Sequence, residues 1–307
     1  MKLTVGMANT VIGIDLFGEA ERALPLCMAY FKDFIDPERK EDATIKITIL
    51  ENPGKNPPIK KTGRKPVVEQ RLSTEDVKRW LETIPGYSND FPMTETTISS
   101  YCLGGLLLFN PETSDGSILL REGPRCIQPT YRLLWMYLAQ VLGERKGCFI
   151  HSAALARDGK GYLFLGESGA GKSTLAKLYG GSGVFSDDCP VLCECQDEYL
   201  VFPSPYRQAG FLEGSDRDVT GTNAQLEGFY FLCKDDRTYL EDISKQEAIS
   251  LIINRHLFFF QYLSNRARSH LFGIFCDLCD KMSPYKLHFC LDEDIWGAID
   301  SSSRRLK

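Results

Sequence analysis

Residues 162–188 read YLFLGESGAGKSTLAKLYGGSGVFSDD. An apolar, strand-like run leads into Gly166, and Gly166, Gly171, Lys172 and Ser173 fit the phosphate-loop spacing G-x-x-x-x-G-K-[ST]. The residues that follow, STLAKLY, suit a helix. In that strand–loop–helix context the glycines let successive backbone N–H groups turn inward around phosphate oxygens, and the helix N-terminus adds its partial positive charge. Gly166, Glu167, Ser168, Gly169, Ala170, Gly171, Lys172, Ser173 and Thr174 are therefore the expected nucleotide-binding residues. Lys172 is expected to reach the β/γ-phosphates of ATP and Ser173 to ligate Mg²⁺.

Two aspartates follow after only one short helix. A helix over about residues 171–179 runs roughly 13 Å away from the loop. A strand of about five residues through Val184 and Phe185 runs roughly 16 Å back. Asp187 and Asp188 should arrive beside the phosphate loop, where two adjacent carboxylates suit a metal ligand and a base for an attacking hydroxyl. A strand-end turn with two solvated acids is the plainer alternative.

Upstream, CFIHSAALA (148–156) and GYLFLG (161–166) flank Arg157-Asp158-Gly159-Lys160, and Asp-Gly is a two-residue hairpin signal. Pairing Arg157 with Lys160 sets His151 opposite Gly166, an imidazole at the mouth of the phosphate site. A core histidine is the alternative.

The combination of His151, GESGAGKS at 166–173 and SDD at 186–188 resembles the HPr kinase/phosphorylase superfamily, whose fold is related to that of phosphoenolpyruvate carboxykinase. The resemblance covers roughly residues 147–210. It implies an α/β fold with a phosphate-loop kinase domain, and a boundary read at the end of the helix near Gly147 gives that domain residues 147–307 and leaves a smaller α+β domain over residues 1–146. It also implies that Asp187 is the base facing an acceptor hydroxyl, Asp188 the second acid near Mg²⁺, and His151 and Lys172 the remaining catalytic residues. Thr174 stands where HPr kinases proper carry Glu, and no Gly-Arg-Asn signature follows. An outlying branch is the result: an ATP- and Mg²⁺-dependent kinase acting on a peptide or protein hydroxyl, with self-association open because the superfamily often forms oligomers. A nucleotide-binding regulatory or scaffold protein with little turnover, and a carboxykinase-like small-molecule enzyme, are the alternatives.

The remaining sequence bounds the class. The chain has 307 residues, 43% hydrophobic and 25% charged, with a net charge of -5. That balance argues against nucleic acid as a partner. Neither a signal peptide nor a run of about 18 apolar residues is visible, so a cytoplasmic protein without a membrane contact is expected. Eleven cysteines, odd in number and mostly in apolar runs, read as buried thiols without disulfides.

Residues 1–146 suggest an extended start, a helix-like EAERALPLCMAYFKDF, a strand TIKITIL, and a helix STEDVKRWLETI capped by Ser73. SSYCLGGLLLFN and GSILLREG read as a hairpin around NPETSDG, and PTYRLLWMYLAQVLGERKG as a helix. Residues 52–66, with four prolines and five basic residues, read as a surface loop or a clamp on an acidic partner. Cys276 and Cys279, with Cys189, Cys193 and Cys195, could form a zinc site, but Leu271, Phe272 and Phe275 put the first pair in an apolar helix pattern that favours core packing. Arg207 and Arg255 are weighed as phosphate-neutralising arginines against ordinary surface pairing. HLFFFQYL (256–263) reads as a buried helix face or strand.

Overall fold

The computed structural model of the chain describes residues 1–50, 69–84, 91–121, 129–179, 183–205, 223–290 and 294–303. The proline-rich stretch 52–66 and Arg207 lie outside the described residues. The architecture is mixed α/β with two sheets. The chain divides into two compact units of near-equal length, Met1–Arg145 with Gln261–Arg268, and Lys146–Phe260 with Ser269–Lys307. Among the described residues no helix is long and apolar enough to cross a membrane.

In the first unit, β1 (Lys2–Met7) and β2 (Thr10–Phe17) form a hairpin turned at Ala8, whose φ is 51°. Short 3-10 turns and α1 (Leu24–Phe31) precede β3 (Ala43–Leu50), which runs parallel to β2. The sheet continues through β4 (Glu69–Leu72), β5 (Ile98–Cys102), β6 (Gly105–Phe109) and β7 (Gly116–Arg121) in the order β1-β2-β3-β7-β6-β5-β4. The stretch expected as one strand, SSYCLGGLLLFN, is thus two strands, because Leu103 and Gly104 take positive φ of 47° and 96° and turn the chain back. In α2 (Thr74–Leu81) the Ser73 hydroxyl accepts from the Asp76 N–H, the cap that the sequence suggested.

Helix α3 (Thr130–Glu144) is buried along nearly its whole length, so its one amide must be satisfied internally. Gln140 does this by donating to the Tyr262 carbonyl at 2.6 Å and accepting from the Ser264 N–H at 3.2 Å. These bonds hold Gln261–Arg268 in the first unit.

The second unit contains β8 (Gly147–Phe149), β9 (Ser152–Arg157), β10 (Lys160–Leu165), α4 (Lys172–Tyr179), β11 (Val184–Ser186), β12 (Val191–Cys195), β13 (Glu198–Phe202), β14 (Ala224–Lys234), β15 (Tyr239–Asp242), α5 (Lys245–Leu251), α6 (Asn265–Lys281), which starts in the returning segment, β16 (Tyr285–Phe289) and α7 (Ile295–Ser303). The sheet order is β11-β9-β10-β14-β13-β12-β8, and β16 joins the far part of β14 with β15 on its other side. The β9–β10 hairpin turns at Asp158 and Gly159 and pairs Arg157 with Lys160 through to Ser152 with Leu165, the register read from the sequence. β14 is parallel to β10, and β16 to β14. Phe164, Leu175, Tyr230, Leu232, Leu287 and Phe289 form the core on the face covered by α4 and α7.

Candidate functional site

Three parallel strands, β10, β14 and β16, end on the same side of the sheet, and the loop after the first of them is the phosphate loop. Ligands in open α/β sheets lodge beyond such carboxyl ends. Within the loop, Gly169 and Gly171 take φ of 83° and 103°, and the Ala170 N–H donates to the Glu167 carbonyl at 3.0 Å. The Gly171 carbonyl accepts from the Leu175 N–H and starts α4. Lys172 is 6% exposed, and its ammonium donates to the Gly166 and Glu167 carbonyls at 2.7 and 3.3 Å. Burial lowers its pKa, against the pull of Asp188 and Asp187.

The return of the aspartates follows from strand direction. β11 is antiparallel to β9, which is antiparallel to β10, so β11 points the same way as β10 and ends at the phosphate loop. At its last residue, the buried Ser186 hydroxyl accepts from the N–H groups of Asp188 and Cys189 at 3.3 and 2.9 Å and fixes the turn. The Asp188 carbonyl then accepts from the Ser152 N–H at 3.1 Å, tying that turn to the start of β9.

These constraints bring His151 Nε2 to 3.1 Å from Asp188 Oδ1, with Lys172 Nζ 4.0 Å from the same oxygen. His151, Asp188, Ser168, Gly169 and the Gly171–Thr174 segment line one cavity of about 400 Å³, and Lys234 closes its other wall. That volume lies in the range of small-ligand sites. Asp187, expected to face the acceptor, is not among the lining residues. It is 3% exposed, its Oδ2 has no hydrogen-bond partner among the described residues, and burial raises its pKa. The structure therefore brings Asp188, rather than Asp187, to the cavity wall.

A single π turn, Ile252–His256, supplies the neighbours of this wall. Such turns re-aim side chains, often at functional sites. Arg255 pairs with Glu167 of the phosphate loop. The His256 carbonyl accepts from the His151 N–H at 2.7 Å, and its ring lies 6.1 Å from that of His151. His256 is buried, its Nδ1 has no partner among the described residues, and burial, then His151, pushes its pKa down to about 4. The run HLFFFQYL is neither helix nor strand throughout. It leaves the π turn, passes Phe259 at a φ of 61° and closes a 3-10 turn at Phe260–Tyr262.

The donor chemistry fits a nucleotide and Mg²⁺. The Ser173 hydroxyl and Asp188 carboxylate are hard oxygen donors, and the unpartnered Asp187 Oδ2 is a further carboxylate oxygen close by. Among the described residues no group of three or more His, Cys, Asp or Glu could hold a metal ion, and this includes Cys276, Cys279, Cys189, Cys193 and Cys195. A cation here would be held by few side chains, as suits Mg²⁺ shared with phosphate oxygens. Cys279 is buried in α6 beside Leu278 and Phe275, but Phe272, expected in the same apolar face, is 52% exposed.

A family model for the SynChlorMet cassette protein ScmC matches residues 130–303, from the first residue of α3 to the last of α7. The chain belongs to the ScmC family. The ScmC match includes every residue of the cavity described above. A comparison with curated proteins finds no match.

Lys234 was not singled out from the sequence. No local signal marks it, because it reaches the phosphate loop only through the pairing of β14 with a strand that ends some 60 residues earlier. His256 was likewise hidden inside an apolar run.

Proposed function

We propose that this ScmC-family chain is an ATP-dependent kinase that transfers the γ-phosphoryl group to a hydroxyl of a peptide or protein, on an HPr-kinase-like phosphate-loop fold. The observation that carries the proposal is the sharing of one cavity by Lys172, Ser173 and the His151–Asp188 pair, whose Nε2 and Oδ1 lie 3.1 Å apart. Gly166–Thr174 wrap the phosphates, Lys172 balances their charge, and Ser173 would hold Mg²⁺ together with phosphate oxygens, which leaves the Asp188 carboxylate free to take a proton. Bound there, Mg²⁺ supplies neutralisation of phosphate charge.

The acceptor oxygen forms a bond to the γ-phosphorus as the bond to the β,γ-bridging oxygen breaks, and the electron pair leaves on ADP. The acceptor proton goes to the Asp188–His151 pair, which lies in the cavity wall where Asp187 does not. A reducing, cytoplasmic setting belongs to the same proposal and is supported by the ten described cysteines, all unpaired.

The test is transfer of labelled γ-phosphate from Mg-ATP to serine- and threonine-bearing peptides or proteins. Label is expected on a hydroxyl with the wild type and none with Lys172→Ala. The proposal is lost if the wild type labels no acceptor and hydrolyses no ATP, or if Lys172→Ala and Asp188→Asn both retain full activity.

A further inference from the structure

One cation in the cavity is not used by the scheme above. Lys234 is exposed, lines the same cavity as the phosphate loop, and has no hydrogen-bond or ion-pair partner among the described residues. Lys172, by contrast, is compensated by two carbonyls and by Asp188. An uncompensated ammonium on the wall of such a cavity is a site for an anionic oxygen.

The fold fixes where that oxygen would be. Leu165 at the end of β10 is paired with Phe231, so β14 runs three residues past the end of β10. A Cβ on Gly166 would lie 3.4 Å from Leu232 Cβ, which sets Leu232 under the loop's first glycine. Two residues on, by strand alternation, Lys234 shares the face of Leu232. Its register partner Phe289 lies against Gly171, whose added Cβ would meet the ring at 2.6 Å. Lys234 thus stands beside the loop's last glycine.

The sheet order β9-β10-β14 puts the phosphate loop in the middle. His151 and Asp188 flank it on the β9 side, and Lys234 on the β14 side. In phosphoryl transfer the attacking and leaving oxygens are in line, on opposite sides of the phosphorus. A base on one flank leaves the other flank to the departing group.

We propose that Lys234 binds the nucleotide's diphosphate opposite the His151–Asp188 pair and balances the negative charge that builds on ADP as the bond from the γ-phosphorus to the bridging oxygen breaks. Lys234 stays protonated, and the acceptor proton goes to the opposite flank. The catalytic part rests on the kinase reading. The binding part does not.

The test uses the full chain in two arms. Calorimetry with Mg-ADP compares wild type, Lys234→Met and Lys234→Arg, with thermal unfolding of the nucleotide-free proteins alongside. Lys234→Met is expected to weaken Mg-ADP binding about tenfold. Lys234→Arg should restore it to within about threefold, and the unfolding midpoint should stay unchanged, because Lys234 holds nothing in the fold. In the second arm, γ-phosphate transfer by Lys234→Met should lose on the order of a hundredfold in kcat, beyond any change in KM.

Equal Mg-ADP affinity in wild type and Lys234→Met overturns the assignment, even if the wild type proves to be a kinase. Weakened binding in a wild type that transfers no phosphate removes the kinase reading and keeps Lys234 as a diphosphate contact. A wild type that binds no Mg-ADP overturns both.

Discussion

His151 Nε2 lies 3.1 Å from Asp188 Oδ1, and the two residues come from the ends of different strands, His151 just before β9 and Asp188 just after β11. A pair held this way by backbone bonds acts as a unit. Asp188→Asn is expected to lower kcat for phosphoryl transfer by about a thousandfold, the middle of the range for a lost general base. His151→Asn alone should cost about thirtyfold. The double variant should be little worse than Asp188→Asn, because the imidazole works through the carboxylate. Kinetics of all three decide it, and losses that multiply would show the two residues to be independent.

Asp187 gives the opposite prediction for stability. Its carboxyl is buried, one oxygen is unpartnered, and its pKa is raised above the ordinary 3.8. The neutral form is the one that the fold favours. Its contribution is fully present below the unfolded pKa near 3.8 and is lost as pH rises through the elevated folded value. Above the unfolded pKa the group therefore weakens the nucleotide-free fold, and Asp187→Asn should raise the unfolding midpoint at pH 7. The gain should shrink as pH falls toward 3.8. Thermal unfolding of both proteins across that range checks this, and a lower midpoint for Asp187→Asn at pH 7 would count against it.

How much of this was legible in the sequence depends on the distance over which each feature is built. The phosphate loop, the Asp158–Gly159 hairpin and the helix-down, strand-up return to Asp187 and Asp188 all arise within about 40 residues, and their spacing alone carries the geometry. Which aspartate faces the cavity was not legible, because the Ser186 turn, and not strand alternation, sets their directions. Lys234 and His256 were hidden because pairing between distant strands and a single π turn bring them in. The return of Gln261–Arg268 to the first unit rests on the buried Gln140 amide together with Glu144, which pairs with Ser264 and Arg266, and with Arg71, which donates to the Leu263 carbonyl, and such long-range partners leave no local signal.

His256 predicts a weakness in acid. Its ordinary pKa of 6.5 falls to about 4, with burial the largest cause and the nearby His151 and Lys172 adding to it. The unfolded chain takes up this proton before the folded one does. The stabilisation is fully present above pH 6.5 and is lost as pH falls through 6.5 to about 4, by roughly 3 kcal/mol. Phe231 borders the ring, so His256→Leu keeps an apolar fill without the titration. Denaturant unfolding at pH 7 and pH 4 should show the wild type losing more stability than His256→Leu by about that amount. Parallel pH dependence in the two proteins would remove the role assigned to His256.

The two positive-φ glycines of the phosphate loop separate backbone strain from steric contact. A Cβ on Gly169 meets nothing within 4 Å, so Gly169→Ala carries only the left-handed backbone penalty, about 1 kcal/mol. A Cβ on Gly171 meets the same penalty and also approaches the Phe289 ring to 2.6 Å, in a core where that ring packs with Leu287 and Leu232. Gly171→Ala is expected to cost about 3 kcal/mol, since overpacking adds to the strain. Phe289→Leu should cost stability in the wild-type background yet recover part of the loss in the Gly171→Ala background, a coupling of at least about 1 kcal/mol. The strain at φ 103° is untouched by the second change, so recovery stays incomplete. Unfolding free energies of the four proteins form the cycle. Additive losses would mean that the ring does not brace the loop, and the close approach of β16 to Gly171 would have no energetic consequence.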